Sequence, residues 1–440
     1  MILPHGSLSL SSLEEQWLQP GVKGLPISEP LRQGAIGVQG WNVLHGDTSF
    51  PVGVLKLTAL EHNLAWMRDF CARHGVLVAP HGKTTMSPQL FGAQLAHGAW
   101  GITLASVSQV QIAHRFGVRR VLLANQLVAR SDIRALLQLL RDDPDFECIV
   151  LVDALAGVAV LSEEAGRHPL ARPRPLPVLV ELGLAGKRSG CRSPEEALTV
   201  ARAAAAAPGL ALAGFEGYEG LLMSDDGEAD RRAVTAFIGQ LCGLVLEADD
   251  EGLFTGAAIL VSAGGSAWCD LVAQGFGQLH GLSRPLLPVL RNGSYISLDH
   301  GLYQEALAAL DARTGTPAGQ GLRPALEIWS VVQSRPEPGL AILGLGKRDV
   351  SHDKGLPLPL WLHSPGPGAP AALPPGCVID ALHDQHARLQ LPAGPIRDRI
   401  AVGDLVGCGV SHPGTTFDRW PLLLAVDDDY AVRGACNTFF

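Results

Sequence analysis

Short apolar runs alternate with longer amphipathic stretches through the first two thirds of the chain. Eight runs are rich in β-branched and other apolar residues, which is typical of strands buried on both faces of a parallel sheet. They are Val76–Ala79, Gly101–Ala105, Arg120–Ala124, Cys148–Asp153, Pro177–Leu182, Leu210–Glu216, Ala257–Ser262 and Leu286–Arg291. Helical periodicity fills the intervals, for example over Val107–Phe116 and Pro194–Ala207. The chain therefore repeats a strand–helix unit.

The number of these units indicates the fold class. Eight strand–helix units over roughly 220 residues match the number and length of a (β/α)8 TIM barrel. A doubly wound open sheet is the alternative, and the regularity of the eight units favours the barrel. Because parallel strands all end at one face, residues that follow them are expected to share a site.

The pattern changes after about residue 300 of the sequence, where helical periodicity becomes scarce. A Gly-, Pro- and Thr-rich stretch at Asp311–Gly321 reads as a loop or linker. Strand-like segments follow at Ala325–Gln333, Leu340–Leu345, Ile400–Cys408 and Pro421–Val426. We predict three parts: an N-terminal segment (1–50) that packs with the C-terminal domain, the barrel (51–308), and a mostly β C-terminal domain (309–440).

Composition narrows the class of protein. Apolar residues make up 47% of the 440 residues and the net charge is −9. This is a core-rich globular chain without the basic surface that nucleic-acid binding requires. No stretch reaches the ~18 apolar residues of a membrane span, and no secretory signal is evident. The eight cysteines are scattered without a C-x-x-C pair, as in reduced proteins. We expect a cytoplasmic protein with neither a nucleic-acid nor a membrane partner.

Lys83 is the most informative candidate for chemistry. It lies in the segment Val78–Pro88, directly after the first predicted barrel strand, and so at the C-terminal mouth. Burial in such a mouth lowers the pKa of an amine, because desolvation disfavours the ammonium form. A neutral lysine amine can form a Schiff base with an aldehyde. A surface lysine in a βα loop is the alternative.

The segment Pro80–Thr84 resembles the fold-type III pyridoxal 5'-phosphate enzymes. Within them it is most similar to the D-serine dehydratase and D-threonine aldolase family, in its amino acid deaminase-like subgroup. The wider family often has Arg and His at the positions that hold Ala79 and Thr85 here, which is subgroup variation. The resemblance implies an alanine racemase-like fold and a pyridoxal phosphate bound covalently to Lys83, with His81 as a further cofactor contact.

The same resemblance assigns the other cofactor contacts. It places Arg188 by the ring oxygen and Tyr218 near the pyridine ring. It assigns phosphate binding to Gly264, Gly265 and Ser266 after the seventh strand and to Gly293, Ser294 and Tyr295 after the eighth. Barrels often bind phosphate at these two loops, where glycines let backbone N–H groups converge.

The relatives also bind a divalent metal through a His-x-Cys or His-x-Asp pair in the C-terminal domain. His412 takes the histidine position here, but the second ligand position holds Gly414, which has no side chain. Two readings stay open. In one, His412 still binds Zn or Mn with help from water, substrate, Cys408 or Asp418. In the other, the metal is lost and His412 acts as an acid on the substrate hydroxyl.

The resemblance implies a reaction as well. A D-3-hydroxy amino acid of the D-serine or D-threonine type would lose its Cα proton to Lys83 and then its hydroxyl, giving a 2-oxo acid and ammonia. Aldolase-type cleavage to glycine and an aldehyde is the first alternative. A non-catalytic pyridoxal-phosphate-binding protein is the second, and the large C-terminal domain argues against it. Relatives are commonly dimers, so a homodimer is implied.

Overall fold

A computed structural model describes residues 2–168, 174–224, 226–265 and 267–440 of the chain. It contains two compact units, each assembled from separate stretches of sequence. The first comprises Met1–Trp66, Thr84–Ala96 and Ser294–Phe440, and the second comprises Met67–Lys83 and His97–Gly293. Among the helices described, none combines the length and the apolar character that crossing a bilayer requires.

The second unit is built on eight parallel strands. They are β1 (Leu77–Val78), β2 (Ile102–Leu104), β3 (Arg120–Gln126), β4 (Glu147–Val152), β5 (Leu176–Leu182), β6 (Leu210–Gly217), β7 (Ile259–Ala263) and β8 (Leu286–Leu290). Neighbours in sequence pair in order, and β8 pairs with β1. The Trp100 N–H donates to the carbonyl of Val78 (2.8 Å) and the Thr103 N–H to that of Pro80 (2.9 Å), so β2 also meets β1. The predicted eight-stranded barrel is confirmed.

Side-chain caps mark the start of some of the helices that follow the barrel strands. Ser106 accepts a hydrogen bond from the Gln109 N–H at the start of Val107–Arg115, and Ser193 caps Pro194–Ala206 in the same way. The other helices are Arg130–Asp142, Leu155–Arg167, Gly227–Asp250, Cys269–Phe276 and, before β1, Leu57–His74. A buried apolar cluster of the barrel comprises Ala79, Leu122, Ile149, Leu151, Leu179, Leu260 and Val289.

The first unit contains a mostly antiparallel sheet. Its strands are Val52–Lys56, β9 (Leu326–Glu337), β10 (Leu340–Leu343), β11 (Leu358–His363), β12 (Ala371–Ala372), β13 (Val378–Leu382), β14 (Ala387–Gln390), β15 (Leu405–Gly409), β16 (Leu422–Val426) and β17 (Val432–Asn437). Val52–Lys56 pairs with β9 on one side and with β16 on the other. The core beneath includes Trp329 and Leu424 together with Ile36 and Val43 from the N-terminal segment.

Short elements complete the chain. The remaining α-helices are Ser11–Glu14, Pro88–Ala96, Leu302–Thr314, Ile396–Arg399 and Gly414–Phe417; the 3-10 turns are Gln33–Val38, Gly82–Thr84, Glu219–Leu222 and Ser294–Ile296; and Trp17–Leu18 pairs with Leu31–Arg32.

One predicted strand of the C-terminal region was too long. Ile400–Cys408 was predicted as a single strand, whereas β15 begins only at Leu405. Ile400 ends the short helix Ile396–Arg399, and the following turn is held by the Ala401 N–H, which donates to the Asp404 carboxylate (2.7 Å). Gly403, with φ +95°, and Asp404 interrupt the apolar run at this turn, and this Gly-Asp pair is the signal that marks the break.

Candidate active site

Lys83 lies at the C-terminal end of the barrel, in the turn Gly82–Thr84 that follows β1. Lys83 is exposed to solvent, yet the surrounding mouth removes part of the hydration of its amine. That burial, together with the positive charges of Arg188 and Arg291, lowers the pKa of the Lys83 amine below its ordinary value. A neutral, accessible amine is the form that attacks an aldehyde.

His81 stands two residues before the lysine and is kept neutral. Burial, and then the charges of Lys83 and Arg291, hold the pKa of its imidazole well below the ordinary value. Within the described part of the chain, the buried Nδ1 of His81 has no hydrogen-bond partner. A neutral ring with one unpaired nitrogen is suited to contact a bound aromatic group with a polar edge.

Arg188 is carried by a loop that leaves β5 and returns at once. The Gly183 N–H donates to the Cys191 carbonyl (2.8 Å) at the neck of this loop. Gly190 has φ +99°, and a Cβ there would lie 2.5 Å from the Gly183 nitrogen, so the neck requires glycine. The Arg188 guanidinium carbon lies 4.8 Å from the centre of the Tyr218 ring. The fold therefore brings these two predicted cofactor contacts together.

A buried ion pair lies at the ends of β6 and β8. Nη2 of Arg291 is 2.5 Å from Oε2 of Glu216 and donates to the Gly217 carbonyl at 2.7 Å. Burial raises the pKa of Glu216 to about 8 despite the attraction of Arg291. Neither residue was predicted from the sequence, although each stands where a strand ends, next to a predicted contact. That position is the signal that could have identified them.

The backbone of the loop after β7 binds a side-chain carboxylate of the same chain. The N–H groups of Gly264 and Gly265 donate to the Glu219 carboxylate at 3.1 and 2.5 Å. Gly264 has φ +121°, and a Cβ there would lie 3.0 Å from Oδ1 of Asn292. Burial raises the pKa of Glu219, while the two backbone hydrogen bonds oppose that rise. The third predicted residue of this loop, Ser266, lies outside the described residues.

The residues after β8 approach the lysine turn. A Cβ on Gly293 would lie 2.5 Å from the carbonyl oxygen of His81, so only glycine fits at this position. Ser294 and Tyr295 then form the 3-10 turn Ser294–Ile296, in which the Tyr295 residue is 2% exposed.

These groups fit pyridoxal phosphate. The mouth combines a lysine of lowered pKa, a neutral His81, two arginines and backbone N–H groups that already hold a carboxylate. Within the described residues, Nε of Arg291 is buried without a hydrogen-bond partner and is a donor still to be satisfied.

His412 belongs to a separate cluster in the first unit. Its Nδ1 is 2.7 Å from Oδ2 of Asp353, and the Thr415 hydroxyl donates to Oδ1 of the same carboxylate at 2.6 Å. Burial would raise the pKa of Asp353, but the hydrogen bonds from Thr415 and His412 outweigh it and lower that pKa. Asp353 is a further residue that the sequence analysis missed.

Hydroxyl groups hold the two segments of this cluster together. The His412 N–H donates to Oγ of Ser351 (3.1 Å), and the Ser351 N–H donates to Oγ1 of Thr416 (3.0 Å). Beside them, the position of a Cβ on Gly414 is 4.0 Å from Cα of Thr84, the residue bonded to Lys83 in the chain. The cluster therefore lies next to Thr84 within the same unit.

A divalent metal does not fit these side chains. Among the described residues, no three His, Cys, Asp or Glu side chains could together hold a metal ion. Cys408 is fully buried and burial raises the pKa of its thiol, so it is not the thiolate that zinc requires. Asp418 is paired with Arg419 at 2.7 Å. The reading in which Cys408 or Asp418 completes a metal site is therefore not supported.

Comparison with known proteins identifies the fold and the family of the chain. The family described as "Alanine racemase, N-terminal domain" matches residues 55–247, and "Putative serine dehydratase domain" matches residues 325–426. The chain is 30% identical to 3-hydroxy-D-aspartate aldolase of Paracoccus denitrificans (strain Pd 1222), over 70% of this chain and 74% of that protein. It is 30% identical to D-threo-3-hydroxyaspartate dehydratase of Delftia sp. (strain HT23), over 34% and 38% of the two chains. The crystal structure of D-threonine aldolase from Filomicrobium marinum superposes with a TM-score of 0.73 at 25% identity, covering 91% of this chain and 97% of that one.

Fold and site together define a pyridoxal-phosphate enzyme with the alanine racemase-like architecture, of fold type III. Its relatives are lyases that act on D-3-hydroxy amino acids. The chain belongs to the D-threonine aldolase and D-serine dehydratase family of these enzymes.

Proposed function

We propose that the protein dehydrates a small D-3-hydroxy amino acid of the D-serine or D-threonine type to a 2-oxo acid and ammonia. The observation that carries this proposal is the accessible Lys83 amine, whose pKa is lowered by burial and two arginines at the barrel mouth. The match to a serine dehydratase domain and the similarity to a hydroxyaspartate dehydratase support elimination of the hydroxyl.

The cofactor would be held by residues at the barrel mouth. Pyridoxal phosphate supplies an electron sink that stabilises a carbanion at Cα of a bound amino acid. Lys83 would bind it covalently, Arg188 and Tyr218 would contact it, and Arg291 would offer its unpaired Nε. The remaining proposed contacts are His81, Gly264, Gly265, Ser266, Gly293, Ser294 and Tyr295.

Two residues would move the protons. Nζ of Lys83 would take the Cα proton of the substrate. The electron pair left at Cα forms the Cα–Cβ double bond as the Cβ–O bond breaks. His412 gives a proton to the departing hydroxyl, which leaves as water. The unsaturated product then takes up one water and yields the 2-oxo acid and ammonia.

Turnover of purified protein with D-serine and D-threonine tests this proposal. We expect 2-oxo acid and ammonia in equal amounts from the D-isomers and none from L-serine. Lys83→Ala should lose both turnover and the visible absorbance of the lysine-bound cofactor. If the native protein binds the cofactor and releases no 2-oxo acid from any D-3-hydroxy amino acid, the proposal is wrong.

A second candidate is cleavage of the Cα–Cβ bond, as in the D-threonine aldolase relatives. It is favoured by the 30% identity to an aldolase over 74% of that protein. Glycine and acetaldehyde from D-threonine, in place of 2-oxobutanoate and ammonia, would establish it.

We also propose a cytoplasmic homodimer, by analogy with the family. Light scattering on the eluting peak of a size-exclusion column measures the mass in solution, and a single-chain mass would refute the dimer.

A further inference from the structure

The His412 ring is oriented by a carboxylate. Its Nδ1 faces Asp353 at 2.7 Å, so this nitrogen carries a hydrogen that points to the carboxylate. Both oxygens of Asp353 are engaged, one by His412 and the other by Thr415. Asp353 therefore holds the imidazole in one orientation and leaves Nε2 as the reactive nitrogen.

The Nε2 atom faces the position where the resemblance implies a second metal ligand. A Cβ placed on Gly414 would lie 3.5 Å from Nε2 of His412. Its next contact, Cα of Thr84, would be at 4.0 Å, which is ordinary van der Waals distance. A side chain at residue 414 thus fits and would point at the imidazole. Glycine leaves this space without a donor atom.

We propose that the Asp353–His412 pair replaces the metal site in this protein: Asp353 is a positioning residue, His412 is a metal-independent proton donor, and Gly414 is the residue that removes the metal. The chemical part of this inference rests on the function proposed above, whereas the metal part stands on geometry alone. Zinc and manganese bind poorly to a single histidine because catalytic sites use about three protein ligands.

The pair performs one step. Nε2–H of His412 donates its proton to the substrate hydroxyl as the Cβ–O bond breaks, and water leaves. The ring returns to the neutral form with its hydrogen on Nδ1, still facing Asp353. No Lewis acid is needed for the leaving group.

Metal binding tests the first part without any turnover. Zinc is titrated calorimetrically into the chelator-treated holoenzyme, the Gly414→Cys variant and a Val402→Cys control. Val402 is 62% exposed in the same unit, so the control adds a thiol away from His412. We expect no stoichiometric site in the wild type or the control, and at least about a hundredfold tighter binding in Gly414→Cys. If the double variant His412→Ala/Gly414→Cys loses this gain in zinc affinity, the zinc bound by Gly414→Cys is located at His412.

Equal zinc affinity in the wild type and Gly414→Cys would overturn the proposal, as would one equivalent of metal retained by the wild type and lost in His412→Ala. If Gly414→Cys does not fold, Gly414→Asp titrated with Mn²⁺ provides the same comparison. Neither outcome depends on which amino acid is the substrate.

The catalytic part is tested with Asp353→Asn, which keeps the size and removes the charge. We expect kcat for 2-oxo acid formation to fall at least about tenfold with KM nearly unchanged. Exchange of the Cα proton of D-serine with deuterated solvent should persist, because Lys83 performs that step. Wild-type turnover must also be insensitive to a chelator. Equal loss of exchange and turnover would contradict a specific role in hydroxyl departure, whereas a wild type without exchange or turnover would instead refute the proposed function.

Discussion

At the scale of single residues, the groups at the barrel mouth lower the pKa of one amine, that of Lys83. Burial and two guanidinium groups act in the same direction on Lys83, and both disfavour its ammonium form. Arg291 is fixed by the buried Glu216, whereas Arg188 is exposed and carried on a loop. Arg188 is therefore the charge that can be changed with the smaller effect on the fold.

Arg188→Met should move the pH dependence of cofactor attachment. Attachment requires the neutral amine, and removal of a nearby positive charge raises the pKa of Lys83. The pH midpoint of attachment, followed by the visible absorbance of the bound cofactor, is expected to shift upward. Lys187→Met changes a neighbouring exposed cation of the same loop and should leave the midpoint in place. A downward shift, or equal shifts in both variants, would contradict this account.

Candidate site residues that lie in recognisable sequence motifs could be predicted from the sequence. Candidate site residues that depend on contacts between distant segments could not. Lys83 was predicted from its place after a strand and Arg188 and Tyr218 from the family resemblance, and the fold brings Arg188 and Tyr218 into contact. Asp353 lies 59 positions from His412 in sequence. Asp353 and His412 lack the short sequence spacing by which a motif is recognised. Their pairing could therefore be found only from the fold.

At the scale of elements, a buried carboxylate joins two barrel helices. Glu164 of Leu155–Arg167 has a side chain that is 0% exposed. Arg130 and Arg134 of Arg130–Asp142 bond to its two oxygens at 2.5 and 2.8 Å. Hydrogen bonds from Arg134 and Arg130 lower the pKa of Glu164 from 4.5 to about 2. These arginines cover the carboxylate and fix the contact between the helices.

Glu164→Gln should destabilise the protein in a pH-dependent way. A folded-state pKa below the ordinary value gives stability that is present above pH 4.5 and is lost as the pH falls toward about 2. The melting temperature of the variant should lie below that of the wild type at neutral pH, and the difference should shrink across this range. Glu163→Gln removes a 41% exposed partner of the same Arg130 and should have a smaller effect. A difference that does not change with pH would contradict this assignment.

The two sheets differed in how well their strands could be predicted. Barrel strands are buried on both faces and give continuous apolar runs, so all eight were found within a few residues of their true ends. In the second sheet, β11 contains Pro359 and β13 alternates exposed and buried residues, so neither stands out as an apolar run. The strand Val52–Lys56 was assigned no partner, because its partners lie far along the chain.

At the scale of the whole molecule, the first unit is built from both ends of the chain. The β16–β17 hairpin joins the sheet through Val52–Lys56, which also pairs with β9. In the described part of the sheet, no other strand connects this hairpin to β9. The C-terminal stretch therefore lacks a central strand of its own sheet.

A fragment of residues 294–440 is expected not to fold on its own. Without Val52–Lys56, both β9 and β16 lose a row of backbone hydrogen bonds, and the core loses Ile36 and Val43. Circular dichroism on heating should show no cooperative transition. The same fragment joined through a flexible linker to residues 1–66 should recover one. Cooperative melting of the isolated fragment would show that the N-terminal strand is dispensable.

The central position of Val52–Lys56 in the sheet also delays its pairing during protein synthesis. About 270 residues separate this strand from Leu326, where its partner begins. At ~5–20 residues per second, a ribosome needs roughly 14 to 54 seconds to translate that interval. Throughout that time the apolar residues around Val54 lack their final packing partners. A chaperone that shields the nascent N-terminus should therefore raise the yield of native enzyme. If a ribosome stalls before Leu326, the released polypeptide exposes the unpaired strand Val52–Lys56. Quality-control proteases can recognise the polypeptide by this strand.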